Sequence, residues 1–268
     1  MQGKIGFIGM GSMAQAILKG WKCTELFAPD QFAAYAPNQE KLRKNAEEIG
    51  FQMYSDLPSL VADCSVLVVA CKPDQVEGAL AEVKDLLRGK ALLSIAALWT
   101  YERYTALLGD GVRCQFVMPN TPAMAREGMF LFEDKNSLLP EELAEAQAWF
   151  SSIGKVEVIP TRLMGIASCI AGSAPAFVDM MMEGLSDAAV SCGMPRDMSY
   201  RLIAQMVVGS GRLLQESGEH PGALKDAVCS PSGATIQGVR TLEESGFRGA
   251  VMDAVIAAFD KTKEMGKA

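Results

Sequence analysis

A single histidine, His220, stands in 268 residues, and the seven cysteines are scattered with no CxxC pair among them. That scarcity excludes a Cys/His zinc site, so no metal is expected. Thiols so dispersed suit a reducing compartment rather than a disulfide framework. Long uncharged apolar runs are also lacking. The longest, Leu163 to Val178, is interrupted by Gly165, Gly172, Ser173 and Pro175, so no membrane-spanning helix is expected. The first apolar run is punctuated by Gly6, Gly9 and Gly11, unlike the unbroken core of an export signal, which points to the cytoplasm. Positive charge is in deficit as well. A net charge of -7 repels phosphate backbones and anionic lipid, which excludes nucleic acid and membrane surfaces as partners. A small molecule is the partner that remains.

What is present is ordinary for a globular chain: 49% hydrophobic and 21% charged residues are enough to bury a sizeable core. The first half alternates short apolar runs with helical stretches, the pattern of a parallel sheet covered by helices. Candidate strands are Lys4 to Ile8, Phe32 to Tyr35, Val66 to Cys71, Leu92 to Ala96, Arg113 to Met118, Met129 to Phe132 and Val156 to Ile159. Helices start near Ser12, Gln39, Pro58, Gln75, Tyr101 and Pro140. After Pro160 strand signals stop, and apolar residues recur at helical spacing, as in Val178, Met181, Met182, Leu185 and Ala189. The expected fold class is α/β, a doubly wound N-terminal sheet over residues 1–160 followed by an all-α domain over 161–268. The helical part is apolar on several faces, which points to packing against a second copy.

The strand Lys4 to Ile8 runs into Gly9-Met10-Gly11-Ser12-Met13-Ala14, and a helix follows. Strand, G-x-G-x-x-A and helix in that order form a dinucleotide fingerprint. Gly9 permits the tight turn, Gly11 lets backbone approach a pyrophosphate, and Ala14 lets helix pack closely on strand. After the second strand, where an acid would select NAD, the chain reads Tyr35-Ala36-Pro37-Asn38, with Lys41, Arg43 and Lys44 following. A phosphate is better received there than repelled, so NADPH is expected, with NADH possible as a weaker substitute. Lys72 and Pro73 end the strand at Cys71 and can line the cofactor, as can the small pair Ala96 and Ala97. Asn120 and Thr121 lie in a stiff loop between Pro119 and Pro122.

Near the C-terminus, Cys229-Ser230-Pro231-Ser232-Gly233-Ala234-Thr235 reads as a helix start that holds an anion. Ser230 suits the N-cap, Pro231 the first helical position, and Gly233 allows close approach to free N–H groups. A small carboxylate is the expected guest.

Together these segments resemble the pyrroline-5-carboxylate reductase family over essentially the whole chain. The resemblance rests on GFIGMGSMAQAI at 6–17, CKP at 71–73, SIAA at 94–97, MPNTPA at 118–123, AGSAPAF at 171–177 and HPGALKDAVCSPSGATI at 220–236. It implies that Ser230, Gly233, Ala234 and Thr235 bind a substrate carboxylate, and that Gly9, Met10, Gly11, Ser12, Met13, Asn38, Lys72, Pro73, Ala96 and Ala97 line the cofactor. It also implies that Asn120 sits at the nicotinamide and substrate. Hydride transfer to a cyclic C=N bond, giving proline, is the implied reaction. Its implied assembly is a homodimer through the C-terminal helices, each completing the partner's site, with rings of dimers common in the family. Three positions depart from the usual pattern: Ser232 for Gly, Ala174 for Gly or Ser, and Phe177 for Tyr. Thr235 is the candidate catalytic hydroxyl near the imine nitrogen. His220, followed by Pro221-Gly222, reads as a loop residue. A β-hydroxyacid dehydrogenase would need a lysine early in the helical half, and Ile166 to Val190 contains none. A nucleotide sensor without chemistry would not need the carboxylate turn.

Overall fold

The computed structural model describes every residue except Gln2, Asp110, Lys267 and Ala268. Its first half alternates strand and helix: β1 (Lys4–Ile8), α1 (Ser12–Lys22), β2 (Phe32–Tyr35), α2 (Gln39–Ile49), β3 (Gln52–Met53), α3 (Leu57–Asp63) and β4 (Cys64–Val69). Then come α4 (Pro73–Val83), β5 (Ala91–Ser94), α5 (Tyr101–Leu108), β6 (Arg113–Met118), β7 (Gly128–Asn136), α6 (Pro140–Ser151) and β8 (Gly154–Ile159). The eight strands form one sheet in the order β3-β2-β1-β4-β5-β6-β7-β8. Strands β1 to β6 are parallel in the doubly wound dinucleotide order, and β7 reverses direction against β6.

Because both faces are covered, each central strand is apolar on both sides. Ile5, Phe7, Val66, Val68 and Leu93 face α1, α2 and α6, while Ile8, Leu67, Val69 and Leu92 face α3, α4 and α5. The first layer centres on Trp21, fully buried, with Phe32, Trp149 and Phe150 at ring distances of 6.3, 5.8 and 5.1 Å. Its indole N–H donates to the carbonyl of Trp149 at 3.0 Å, tying α1 to α6.

Some boundaries differ from the sequence expectation. Strand β4 stops at Val69 and β5 at Ser94, so Cys71, Ala96 and the residues after them lie in loops beyond the sheet. Helix α4 begins at Pro73, since proline is at home in a first turn. The edge strand β3 was not expected, and its two exposed residues are too few for an alternating pattern.

The second half is helical: α7 (Met164–Ser168), a π-turn at Cys169–Ser173, α8 (Ala174–Ser191), α9 (Arg196–Ser217), α10 (Pro221–Ala227), α11 (Ala234–Glu244) and α12 (Phe247–Met265). Compactness divides the chain after Gly172, with one unit running from Met1 to Gly172 and resuming at Lys261, and the other from Ser173 to Asp260. Strand signals end at Ile159, where the sequence drew its boundary. The first unit keeps the next turns because Met164 is buried in a cluster with Phe116 and Leu131.

In the second unit α8 and α9 pack together around few buried groups. Ser186 and Ser199 share a hydrogen bond at 2.5 Å, and Arg196 donates to Ser186 and to Asp187 at 3.2 and 2.6 Å. Many large apolar side chains stay exposed, among them Met180, Leu202, Val208 and Met252. The expectation about spans needs amending. Gly165, Gly172 and Pro175 do not break the helical path, and Thr161–Ser191 is long and apolar enough to cross a membrane by length and composition, with 11% of its apolar window buried.

Replacing Trp21 with alanine removes the centre of the aromatic layer and the bond to α6. A loss of roughly 3 to 5 kcal/mol is expected in a urea unfolding titration.

Candidate active site

The ends of five strands, β1, β2, β4, β5 and β6, carry the candidate residues of the first unit. After β1, Gly9 adopts φ +97, and a β-carbon there would meet the backbone nitrogen of Cys71 at 2.8 Å and the carbonyl of Ala70 at 2.9 Å. Only glycine fits both the angle and the contact. Gly11 differs: it is the N-cap of α1, and a β-carbon there would find nothing within 4 Å. No side chain caps this helix, so the first-turn N–H groups around Ser12 and Met13 are free to take an anion in open space. Met10 is buried, and its carbonyl accepts from Gln15 at 3.2 Å, which steadies the loop. Ala14 is buried at the helix–sheet contact. These features fit the pyrophosphate of a dinucleotide.

At the end of β2, Asn38 is the N-cap of α2, its side-chain oxygen accepting from the Lys41 N–H at 2.9 Å. The amide nitrogen of that side chain is left to donate. Of the cations that follow, Lys44 pairs with Glu40 one turn away at 3.0 Å, a solvated pair on the helix surface. Among the described residues no ion pair involves Lys41 or Arg43, which leaves them for a phosphate.

After β4, Lys72 is exposed and Pro73 opens α4. The neighbouring Cys71 is no nucleophile, because burial pushes its thiol up to about 11. After β5, Ala96 and Ala97 begin a tight turn closed by the Trp99 N–H to the Ala96 carbonyl at 3.3 Å. Trp99 escaped the sequence reading, which took in Ser94 only as part of the SIAA segment at 94–97. The indole of Trp99 donates to the Pro73 carbonyl at 2.8 Å, and Ser94 accepts from the Ala96 N–H at 3.2 Å. The Trp99 contact reaches 26 residues back along the chain, so no spacing rule would have found it, whereas the Ser94 contact spans only two residues.

Asn120, after β6, is 7% exposed and committed at both ends of its amide. Its oxygen accepts from the Met129 N–H at 2.8 Å, and its nitrogen donates to the Ala171 carbonyl at 3.0 Å. Pro175 has no N–H to give that carbonyl, so Asn120 satisfies an acceptor that the proline would leave bare.

The second unit carries the turn expected to hold a carboxylate, and here the sequence reading is corrected. Ser230 is not an N-cap, and Pro231 does not start the helix. Helix α11 begins at Ala234, with Gly233 as its N-cap. Residues Ser230 to Gly233 instead form a β-turn, with the Gly233 N–H donating to the Ser230 carbonyl at 3.0 Å. Pro231 occupies its second position and Ser232, at φ +60, its third, the layout of a type II turn. The left-handed Ser232 is what prevents helix from starting earlier. A β-carbon at Gly233 would crowd the Ser230 hydroxyl, which would have to rotate away. No side chain caps α11, so its first-turn N–H groups are open, with the exposed hydroxyl of Thr235 beside them. His220 caps α10, its Nδ1 accepting from the Gly222 N–H at 3.0 Å, which gives it a structural task.

Residues 161–265 match the family model described as pyrroline-5-carboxylate reductase dimerisation, and residues 4–98 match one described as NADP oxidoreductase coenzyme F420-dependent. The chain is 37% identical to a pyrroline-5-carboxylate reductase of Escherichia coli over 268 residues, covering 100% of both chains. It is 32% identical to that of Arabidopsis thaliana, over 98% of this chain and 96% of the other. The crystal structure of pyrroline carboxylate reductase from Plasmodium falciparum with NADP bound superposes with a TM-score of 0.90 at 30% identity, covering 99% and 98% of the two chains. Homology across the full length, with the motif residues in their expected segments, leads to one conclusion: the chain belongs to the pyrroline-5-carboxylate reductase family.

Proposed function

We propose that this chain reduces 1-pyrroline-5-carboxylate to L-proline with NADPH, the last step of proline biosynthesis, through the residues assigned below. One observation carries the reading: a single chain of this family holds two helix starts that have glycine as the N-cap and no side-chain cap. One suits a pyrophosphate, and the other a small carboxylate.

Gly9 to Met13 hold the pyrophosphate, and Asn38, aided by Lys41 and Arg43, takes the additional phosphate of NADPH. Lys72, Pro73, Ala96 and Ala97 line the cofactor. Asn120 fixes the loop after β6, so its contribution to the substrate is made through the backbone it holds. NADPH supplies a hydride to the C=N carbon. The pyrroline nitrogen is basic enough to carry its own proton, so the protein is asked mainly for orientation. The α11 N–H groups of Ala234 and Thr235, with the hydroxyl of Ser230, grip the carboxylate. Thr235 then hydrogen-bonds the imine nitrogen through its side-chain oxygen.

The chain homo-oligomerises through its C-terminal helices, which form the family's dimerisation domain. The exposed apolar faces of α8, α9 and α12 support a dimer in which each helical half completes the site of its partner. The apolar stretch Thr161–Ser191 is then covered by protein and not by lipid. Rings of such dimers, a cytoplasmic location and a functional boundary near residue 160 complete the reading.

Purified protein is expected to oxidise NADPH only when the pyrroline carboxylate is added, and faster than NADH. No substrate-dependent oxidation would refute the function. Gly11→Ala should leave the melting temperature nearly unchanged, since its β-carbon meets nothing, yet weaken NADPH binding at least tenfold in calorimetry. Thr235→Ala should lower turnover or raise KM for the imine while NADPH affinity holds; the reverse pattern would remove Thr235 from the substrate site.

A further inference from the structure

The loop that carries Ala96 and Ala97 contains a residue that glycine would normally hold. Leu98 sits at φ +68, in the third position of the turn from Ala96 to Trp99. A leucine stays in that region only when its surroundings over-determine the backbone. Three contacts do so here. The Trp99 indole N–H reaches the Pro73 carbonyl at 2.8 Å, across to the loop after β4. Arg103, one turn into α5, donates to the Leu98 carbonyl at 3.3 Å and lays its guanidinium over the Trp99 ring at 4.8 Å. On the other side Glu133 of β7 accepts from the Tyr101 N–H at 2.7 Å, capping α5 where Thr100 makes no side-chain cap. Trp99 itself is 4% exposed, and its ring packs against Tyr104 at 5.2 Å.

Each contact pins the same short segment, and the indole bond joins it to Pro73. The two loops so joined, Lys72-Pro73 and Ala96-Ala97, are those assigned to the cofactor. We infer that Trp99 is a positioning residue for NADPH: its indole N–H fixes the spacing between the loops after β4 and β5, and Arg103 holds the indole in place. Trp99 does not touch the reacting atoms in this account. It removes a conformational freedom that binding would otherwise have to freeze. The inference rests on the cofactor assignment made above, and the experiment separates the two.

The test is calorimetric titration of NADPH into the purified protein without imine, together with amide exchange over residues 96–101. Trp99→Phe keeps the ring and removes the N–H. It should weaken NADPH roughly fivefold, as one lost neutral hydrogen bond does, leave KM for the imine within twofold, and speed exchange of the segment. Arg103→Ala acts from the solvent side and should weaken NADPH in the same direction by less; it decides the matter alone if Trp99→Phe fails to fold. Unchanged NADPH affinity in both variants, with Gly11→Ala still impaired, would overturn the role of Trp99. Should Gly11→Ala also bind NADPH normally, the cofactor assignment fails first and takes this inference with it.

Discussion

The contact between Gly9 and the backbone of Ala70 and Cys71 is the constraint on which the cofactor half depends. It brings the end of β1 against the end of β4 at the place where strand order reverses, and hydrogen bonds continue past the last strand residues on both sides. The Gly9 N–H donates to Tyr35, Ala70 to Ile8 and Ile95 to Val69, at 2.8, 2.9 and 2.9 Å. Three loops therefore leave the sheet in register: Met10-Gly11, Cys71-Lys72 and Ala96-Ala97. A crevice at the carboxyl ends of parallel strands follows from that alignment. The two-layer core below, with Trp21 on one face and Tyr104 on the other, keeps the strands from shifting.

The helical half is built on the opposite principle. Its buried groups are few, and those between α8 and α9 include a serine pair with an arginine rather than an apolar cluster. Apolar side chains lie outside, where a monomer would expose them to water at a cost of about 25 cal/mol per Å². Such a surface is stable when a second copy covers it, so assembly belongs to the folding of this half.

What the sequence made legible was local or periodic. The Gly-x-Gly-x-x-Ala loop could be read because strand, turn and helix adjoin, and Gly9 and Gly11 each answer a requirement visible in the chain order. The layered sheet was legible from its doubly apolar strands. The turn from Ser230 to Thr235 was located but misassembled, since Ser230 and Gly233 both suit an N-cap, and Pro231 suits both a first helical turn and the second place of a β-turn. The sign of φ at Ser232 decides between them, and no propensity rule specifies it for a serine. Trp99 was invisible because its partner, Pro73, lies 26 residues away. Asn120 was identified by its loop, yet its work for Met129 and Ala171 appears only in three dimensions.

Backbone strain ties these observations together. Among the described residues the non-glycines at positive φ are Leu98, Arg126 and Ser232. Leu98 is in the loop after β5, Arg126 ends the short helix that follows Asn120, and Ser232 is in the turn before α11. Each costs of order 1 kcal/mol relative to glycine, and such costs persist where the surrounding structure holds the backbone for a purpose. Leu98 is held by Trp99 and Arg103, and Arg126 by its N–H bond to Ala123 at 3.1 Å. Ser232 is held by the turn bond between Ser230 and Gly233, which leaves its own hydroxyl exposed beside the α11 N-terminus. A loop already fixed in this way has little conformational entropy left to lose if a ligand binds it.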